Sequence, residues 1–122
     1  MTFKTRFNKK DGVCTVQVDG KINRPNDSLA LQKFAREFGA ENDCRLFLFD
    51  MRNTVRTGGI MEAFEVASVP ADHDRSQANH KIALLYKEVS SHDKFMETVA
   101  FTRGYTVRVF NNENEAKTWL VI

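Results

Sequence analysis

Arg45-Leu46-Phe47-Leu48-Phe49-Asp50-Met51 sets the architecture. Leu46 to Phe49 are apolar without alternation, so a strand built from them is hydrophobic on both sides and must be covered on both faces. Strands of this kind lie centrally in parallel sheets whose crossovers are helices. Lys81-Ile82-Ala83-Leu84-Leu85-Tyr86-Lys87 is a second run of the same type. These two strands are expected to be buried on both sides, Leu48 and Leu84 included.

The segments around them fill in the pattern. Phe3, Thr5 and Phe7 alternate with Lys4 and Arg6, and Cys14, Val16 and Val18 alternate again within Val13 to Asp19. Between them Asn8-Lys9-Lys10-Asp11-Gly12 reads as the turn of an N-terminal β-hairpin. Asn23 to Asp27, with Pro25, opens a helix whose stripe is Leu31, Phe34, Ala35 and Phe38, with Gly39 expected at its left-handed C-cap. Thr57-Gly58-Gly59 precedes a second helix with Ile60, Met61, Phe64 and Ala67 inward, ended by Pro70. Residues 71–79 read as a polar loop. A third helix, capped by Ser90 or Ser91, turns Phe95, Met96, Val99 and Ala100 inward and closes at Gly104. Thr106 to Phe110 is a strand. Asn112 caps a last helix that buries Ala116, Trp119 and Leu120. The order ββαβαβαβα predicts an α/β fold: a mixed, mostly parallel five-stranded sheet with an N-terminal hairpin and about four helices.

Composition narrows the function classes. The 122 residues suit one domain, expected to span 1–122. The hydrophobic share of 42% and charged share of 28% are those of a globular chain. No run approaches the ~20 apolar residues of a membrane helix, and no signal peptide is visible, so membrane insertion is not expected and the cytoplasm is the expected location. A net charge of +2 from scattered residues gives no reason to expect nucleic acid. Cys14 and Cys44, thirty positions apart, read as buried reduced thiols rather than a disulfide, a zinc site or a nucleophile.

Arg103-Gly104-Tyr105-Thr106-Val107-Arg108-Val109-Phe110-Asn111-Asn112-Glu113-Asn114-Glu115-Ala116-Lys117-Thr118-Trp119-Leu120, together with the two core strands, resembles the SpoIIAA-like, STAS/SEC14-type family of small bacterial proteins. The shared pattern is a glycine, a strand ending in Val-Phe, a short acidic turn, then Glu-Ala and Trp-Leu. The resemblance implies a STAS-like fold and a non-enzymatic interaction module that acts on a regulatory protein partner. Its best-known members are anti-sigma-factor antagonists, switched by phosphorylation of a serine in an Asp-Ser pair at the entry to the second helix. This chain has Thr54-Val55-Arg56-Thr57-Gly58-Gly59 there, so the phosphoswitch is expected to be lost and Thr57 to serve as a helix cap. The SEC14 side of the family name implies an alternative, a carrier of a small apolar ligand or lipid.

Three kinds of chemistry remain to be placed. An anion or ligand site beyond the carboxyl ends of the strands would draw on Asp50, Arg52, Arg56, Thr57, Gly58 and Gly59, with Gly20, Lys21, Lys87, Ser90, Ser91 and Asn111 nearby. Asp72-His73-Asp74 with His80 has metal-type side chains, and His92-Asp93 is an acid–base pair by residue type. All of these read more simply as solvated polar groups, so no catalytic residue, metal or cofactor is expected. An enclosed cavity among Phe34, Phe38, Phe47 and Phe64 would favour the carrier. Exposed Ile60, Met61, Phe64 and Val69 would favour the interaction module. Phe3 and Phe7 on an edge strand, with Met61 and Val66, suggest a homodimer.

Overall fold

The computed structural model describes residues 1–24, 26–58 and 80–122. β1 (Thr2–Asn8) and β2 (Val13–Asn23) form the expected hairpin, Phe3 opposite Val18 and Phe7 opposite Cys14, with the Gly12 N–H donating to the Asn8 carbonyl across the turn. α1 (Asn26–Asn42), β3 (Leu46–Thr57), β4 (Lys81–Leu85), α2 (Ser91–Thr102), β5 (Thr106–Phe110) and α3 (Glu113–Val121) follow. The five strands form one sheet in the order β1-β2-β3-β4-β5, antiparallel between β1 and β2 and parallel elsewhere. The helix expected from Gly58 to Pro70 and the loop 71–79 lie outside the described residues.

Alternation along the strands divides the core. Cys14, Val16, Phe47, Phe49 and Ile82 face α1, which contributes Leu31 and Ala35. α2 packs Met96, Val99 and Ala100 beside them, against Leu84 and Val107. Leu48, Ala83 and Leu85 point the other way and meet Ala116 and Leu120 of α3. Leu46 to Phe49 thus lack alternation because helices cover both sides of β3. The sheet's outer edge at β5 is guarded by Glu97 of α2, whose Oε2 accepts the Val109 N–H at 2.6 Å.

Several expectations are corrected. Gly39 does not end α1 but lies inside it. A Cβ there would stand 2.7 Å from the Cys44 carbonyl oxygen and 2.9 Å from the His80 ring, so glycine is needed for close approach and not for a cap. His80 is buried, its ring 5.3 Å from that of Phe47, and is not a solvated side chain. Leu84 is half-buried, because it lies in a cleft between α1 and α2. Trp119 is also half-buried, at the margin of α3, with its ring 5.6 Å from Phe110 and the Lys81 ammonium over its face. Phe3 and Phe7 pack on Phe34 and Phe38 of α1, so one argument for a homodimer is met within the chain. The other, Met61 and Val66, falls outside the described residues.

β2 and β3 both outrun the expected strands. Asp19–Asn23 pair in parallel with Asn53–Thr57, while β4 pairs with β3 only from Leu46 to Asp50. The β-branched Thr54, Val55 and Thr57 suit this extension. The register shifts between Gln17 and Asp19, where Val18 faces both Met51 and Arg52. This bulge reverses the alternation of β3 beyond it. Arg56, opposite Ile22, therefore points to the same face as Phe47 and Phe49.

Candidate functional site

The residues proposed from sequence as one ligand site separate into two clusters. Asp50 and Arg52 form a bidentate pair, Arg52 Nε to Asp50 Oδ1 at 2.9 Å and Nη2 to Oδ2 at 2.8 Å. Arg52 also donates to Glu113 Oε1 at the start of α3, 3.0 Å away. The Arg52 guanidinium holds the Asp50 carboxyl below its ordinary range. This cluster belongs to the α3 side of the sheet, and its arginine is already shared by two carboxylates.

Arg56 belongs to a different constellation, built at the carboxyl ends of β2, β3 and β4. Asp93, in the first turn of α2, is fully buried. Its Oδ1 accepts from Arg24 Nη2 at 2.7 Å and its Oδ2 from Arg56 Nη2 at 2.9 Å. Oδ2 also accepts the Ser90 N–H at 2.9 Å, while the Asp93 N–H donates to Ser90 Oγ, completing a capping box. The Arg56 guanidinium lies 4.1 Å above the ring of buried Tyr86 and donates to the Glu88 carbonyl at 3.3 Å. Burial raises the Asp93 pKa, but the hydrogen bonds from Arg24 and Ser90 and the charge of Arg56 outweigh it, and the carboxyl ends below its ordinary range. Burial, with the Asp93 charge beside it, pushes the Tyr86 hydroxyl up to about 12.

A pocket of about 340 Å³ opens over this constellation. Arg24, Thr54, Val55, Arg56, Gly58, Ser90 and His92 line it. Of the residues singled out from sequence, Arg56, Gly58, Ser90 and His92 meet here. Thr57 ends β3, and its hydroxyl donates to Asn23 Oδ1 at 2.7 Å. Gly59 lies outside the described residues, as do Asp72, His73 and Asp74. His92 is half-buried and lines the pocket, while Asp93, read from sequence as a solvated group, is the buried anchor of the site.

Arg24 was missed altogether. Nothing in Asn23-Arg24-Pro25 distinguishes it from a loop residue. The Ser90-x-x-Asp93 spacing carried a readable signal, since Asp at the third helical position after a serine cap completes a capping box.

Of the four phenylalanines whose enclosed cavity would favour a carrier, the three described ones pack against one another. The Phe34 and Phe38 rings lie tilted, 5.5 Å apart, and Phe38 meets Phe47 edge-on at 6.3 Å; Phe64 lies outside the described residues. An apolar cleft of about 90 Å³ lies elsewhere, between α1 and α2, lined among the described residues by Leu31, Phe49, Met51, Leu84 and Met96 and others. Cys14 and Cys44 are free and buried, and burial pushes the Cys14 thiol up to about 12. Among the described residues no three His, Cys, Asp or Glu side chains gather as metal ligands, and no helix is long and apolar enough to cross a membrane.

No protein-family model matches the chain, and no curated protein matches it either. Solved structures do. An uncharacterized protein of the DUF3478 family from Shewanella loihica PV-4, with a SpoIIAA-like fold, aligns with a TM-score of 0.57 at 10% identity, over 98% of this chain and 92% of that one. An anti-sigma factor antagonist from Mycobacterium paratuberculosis aligns with a TM-score of 0.56 at 12% identity, over 98% and 94%. The anti-sigma factor antagonist SpoIIAA in its unphosphorylated form aligns with a TM-score of 0.55 at 9% identity, over 97% and 96%. Identities this low speak for the fold alone. The mixed sheet, its strand order and these alignments agree that the chain has the SpoIIAA-like fold.

Proposed function

We propose that this chain is a non-enzymatic interaction module that binds a regulatory protein partner in the cytoplasm without a serine phosphoswitch. The observation that carries this reading is the projecting ribbon of β2 and β3. Beyond Asp50, β3 has no strand partner on the β4 side among the described residues, and Val55 on this ribbon is 69% exposed. A strand end without a strand partner on one side among the described residues, beside an exposed apolar side chain, is a ready surface for a protein. Two solved structures of the same fold are described as anti-sigma factor antagonists, which favours a protein partner over a substrate.

The chemistry of the buried carboxylate points the same way. Asp93 accepts from Arg24, Arg56 and Ser90, an arrangement that holds it ionised and in place and leaves it no proton to move. At the switch position Thr57 follows Arg56, and its hydroxyl is committed to Asn23. Incubation with ATP and kinases of the anti-sigma type is expected to leave Thr57 unmodified. Stoichiometric phosphate on Thr57 overturns that part of the proposal.

A photo-crosslinking residue at Val55, expressed in the host, tests the partner surface. A discrete protein adduct from Val55 and none from Phe101, exposed at the far end of α2, is the expected result. The same adducts from both positions, or none from Val55, reject it.

A second reading, a carrier of a small apolar ligand, rests on the cleft between α1 and α2. Its volume of about 90 Å³ is well below the roughly 300 Å³ at which small-molecule pockets begin, so it takes second place. Native mass spectrometry of protein purified from its host distinguishes the two, because only the carrier retains a small apolar molecule.

A further inference from the structure

We infer that the pocket between the ends of β2 and β3 and the start of α2 binds a phosphoryl group, either free or carried on a small organic molecule. This goes beyond the partner-binding proposal and does not depend on it.

Charge is the first argument. Arg24 and Arg56 share the single carboxylate of Asp93, and their side chains are only 4% and 17% exposed. Among the described residues two guanidinium groups face one carboxylate, which leaves one positive charge in excess, largely out of water. Burying an uncompensated charge is costly, and an anion in the adjoining pocket removes the cost.

The second argument is an unused donor. Among the described residues the Nε of Arg24 is buried without a hydrogen-bond acceptor. Nearly all buried polar groups in folded proteins have a partner, so an orphan on a pocket-lining arginine points to a missing acceptor.

Geometry supplies the third. α2 has twelve residues, and its first turn faces the same pocket through Ser90 and His92. The capping box occupies the Ser90 and Asp93 N–H groups. Ser91 and His92, the first two helical residues, have N–H groups with no acceptor inside the helix, at the end where the helix dipole favours an anion. Arg56 is fixed in orientation by Tyr86, Glu88 and Asp93, so little ordering remains for it on binding. Donors therefore come from β3, from the turn after β2 and from α2. A tetrahedral dianion can accept from three directions, whereas a planar carboxylate is matched by a single arginine fork.

The test is titration of the ¹⁵N-labelled protein with inorganic phosphate, phenyl phosphate and benzoate at constant ionic strength. Phenyl phosphate is expected to shift the Gly58, Ser91 and His92 amides saturably, and benzoate not to. Equal affinity for inorganic and phenyl phosphate assigns the site to free phosphate, and tighter phenyl phosphate assigns it to an ester; both outcomes uphold the phosphoryl site. Arg56→Gln should weaken binding about tenfold or more. Should that variant fail to fold, Ser91→Pro serves. Proline is well tolerated at the first helical position, Ser90 already has the extended backbone (φ −87°, ψ 167°) that a following proline requires, and one donor N–H is lost. It should bind phosphate more weakly with its helix intact. Absence of saturable shifts, shifts matched by benzoate, or full affinity in folded Ser91→Pro would falsify the proposal.

Discussion

The two arginine–carboxylate clusters on β3 use the same chemistry in different surroundings. Arg52, 44% exposed, grips Asp50 two residues away and reaches Glu113. Arg56, four residues further along the strand, joins Arg24 on the fully buried Asp93 of α2. The bulge opposite Val18 separates them by sending Arg56 to the other face of the sheet. In water the Arg52 cluster gains little, because solvent screens it and long side chains lose freedom to form it. Away from water, removing one partner leaves a charge with no compensation. The comparison teaches that distance and residue type alone do not rank ion pairs; burial does.

The largest expected effect comes from taking away the buried carboxylate. Asp93→Ala should cost about 3–5 kcal/mol in denaturant unfolding, since it strands two arginines and undoes the capping box. A cost close to that of Arg52→Ala would erase the contrast between the clusters.

Acid should separate them next. The Asp93 carboxyl titrates lower in the folded chain than in the unfolded one. Its contribution to stability is therefore complete above about pH 4 and is lost as pH falls through the lower folded value. Asp50 has the same sign of shift but stands nearer to solvent. Asp93→Asn should remove more of the acid dependence of unfolding than Asp50→Asn, as pH-dependent denaturant melts would record. The reverse order would place the more strongly coupled carboxylate on the α3 side.

Ser90→Ala isolates the helix-start part of the buried cluster. It removes one side of the capping box but leaves both arginines on Asp93, and should cost about 1 kcal/mol. The smallest effect is expected at the exposed cluster. Arg52→Ala should cost less than about 1 kcal/mol, and concentrated salt should shrink even that difference while leaving the Asp93→Ala cost largely unchanged.

Much of the fold was legible because it depends on local pattern. Alternation in Phe3–Phe7 and Val13–Val18 gave the hairpin, unbroken hydrophobicity at Leu46–Phe49 gave a doubly covered strand, and Ser90 and Asn112 were readable as caps. Gly39 was misread because glycine has more than one use, and its close neighbours, Cys44 and His80, come from outside the helix. β3 was read too short because its last residues are held by β2 and not by any hydrophobic period of their own.

The candidate site was legible only in fragments. Arg56, Gly58 and Ser90 were named, but they were grouped with Asp50 and Arg52 as residues at the carboxyl ends of the strands. The ion pair that organises the site joins Arg24 to Asp93 across 69 positions. Periodicity reports which face of an element is apolar, and a cap reports where a helix starts. Neither carries information about which charge lies beneath which. The succession of strands and helices along the chain and the apolar faces of the helices were thus written in the spacing of apolar residues. The partners of Arg24, Arg56 and Asp93 were fixed only when a one-residue bulge in β3 and the docking of α2 brought three distant segments together out of water. Long-range electrostatics depends on burial, and burial exists only once the chain is folded.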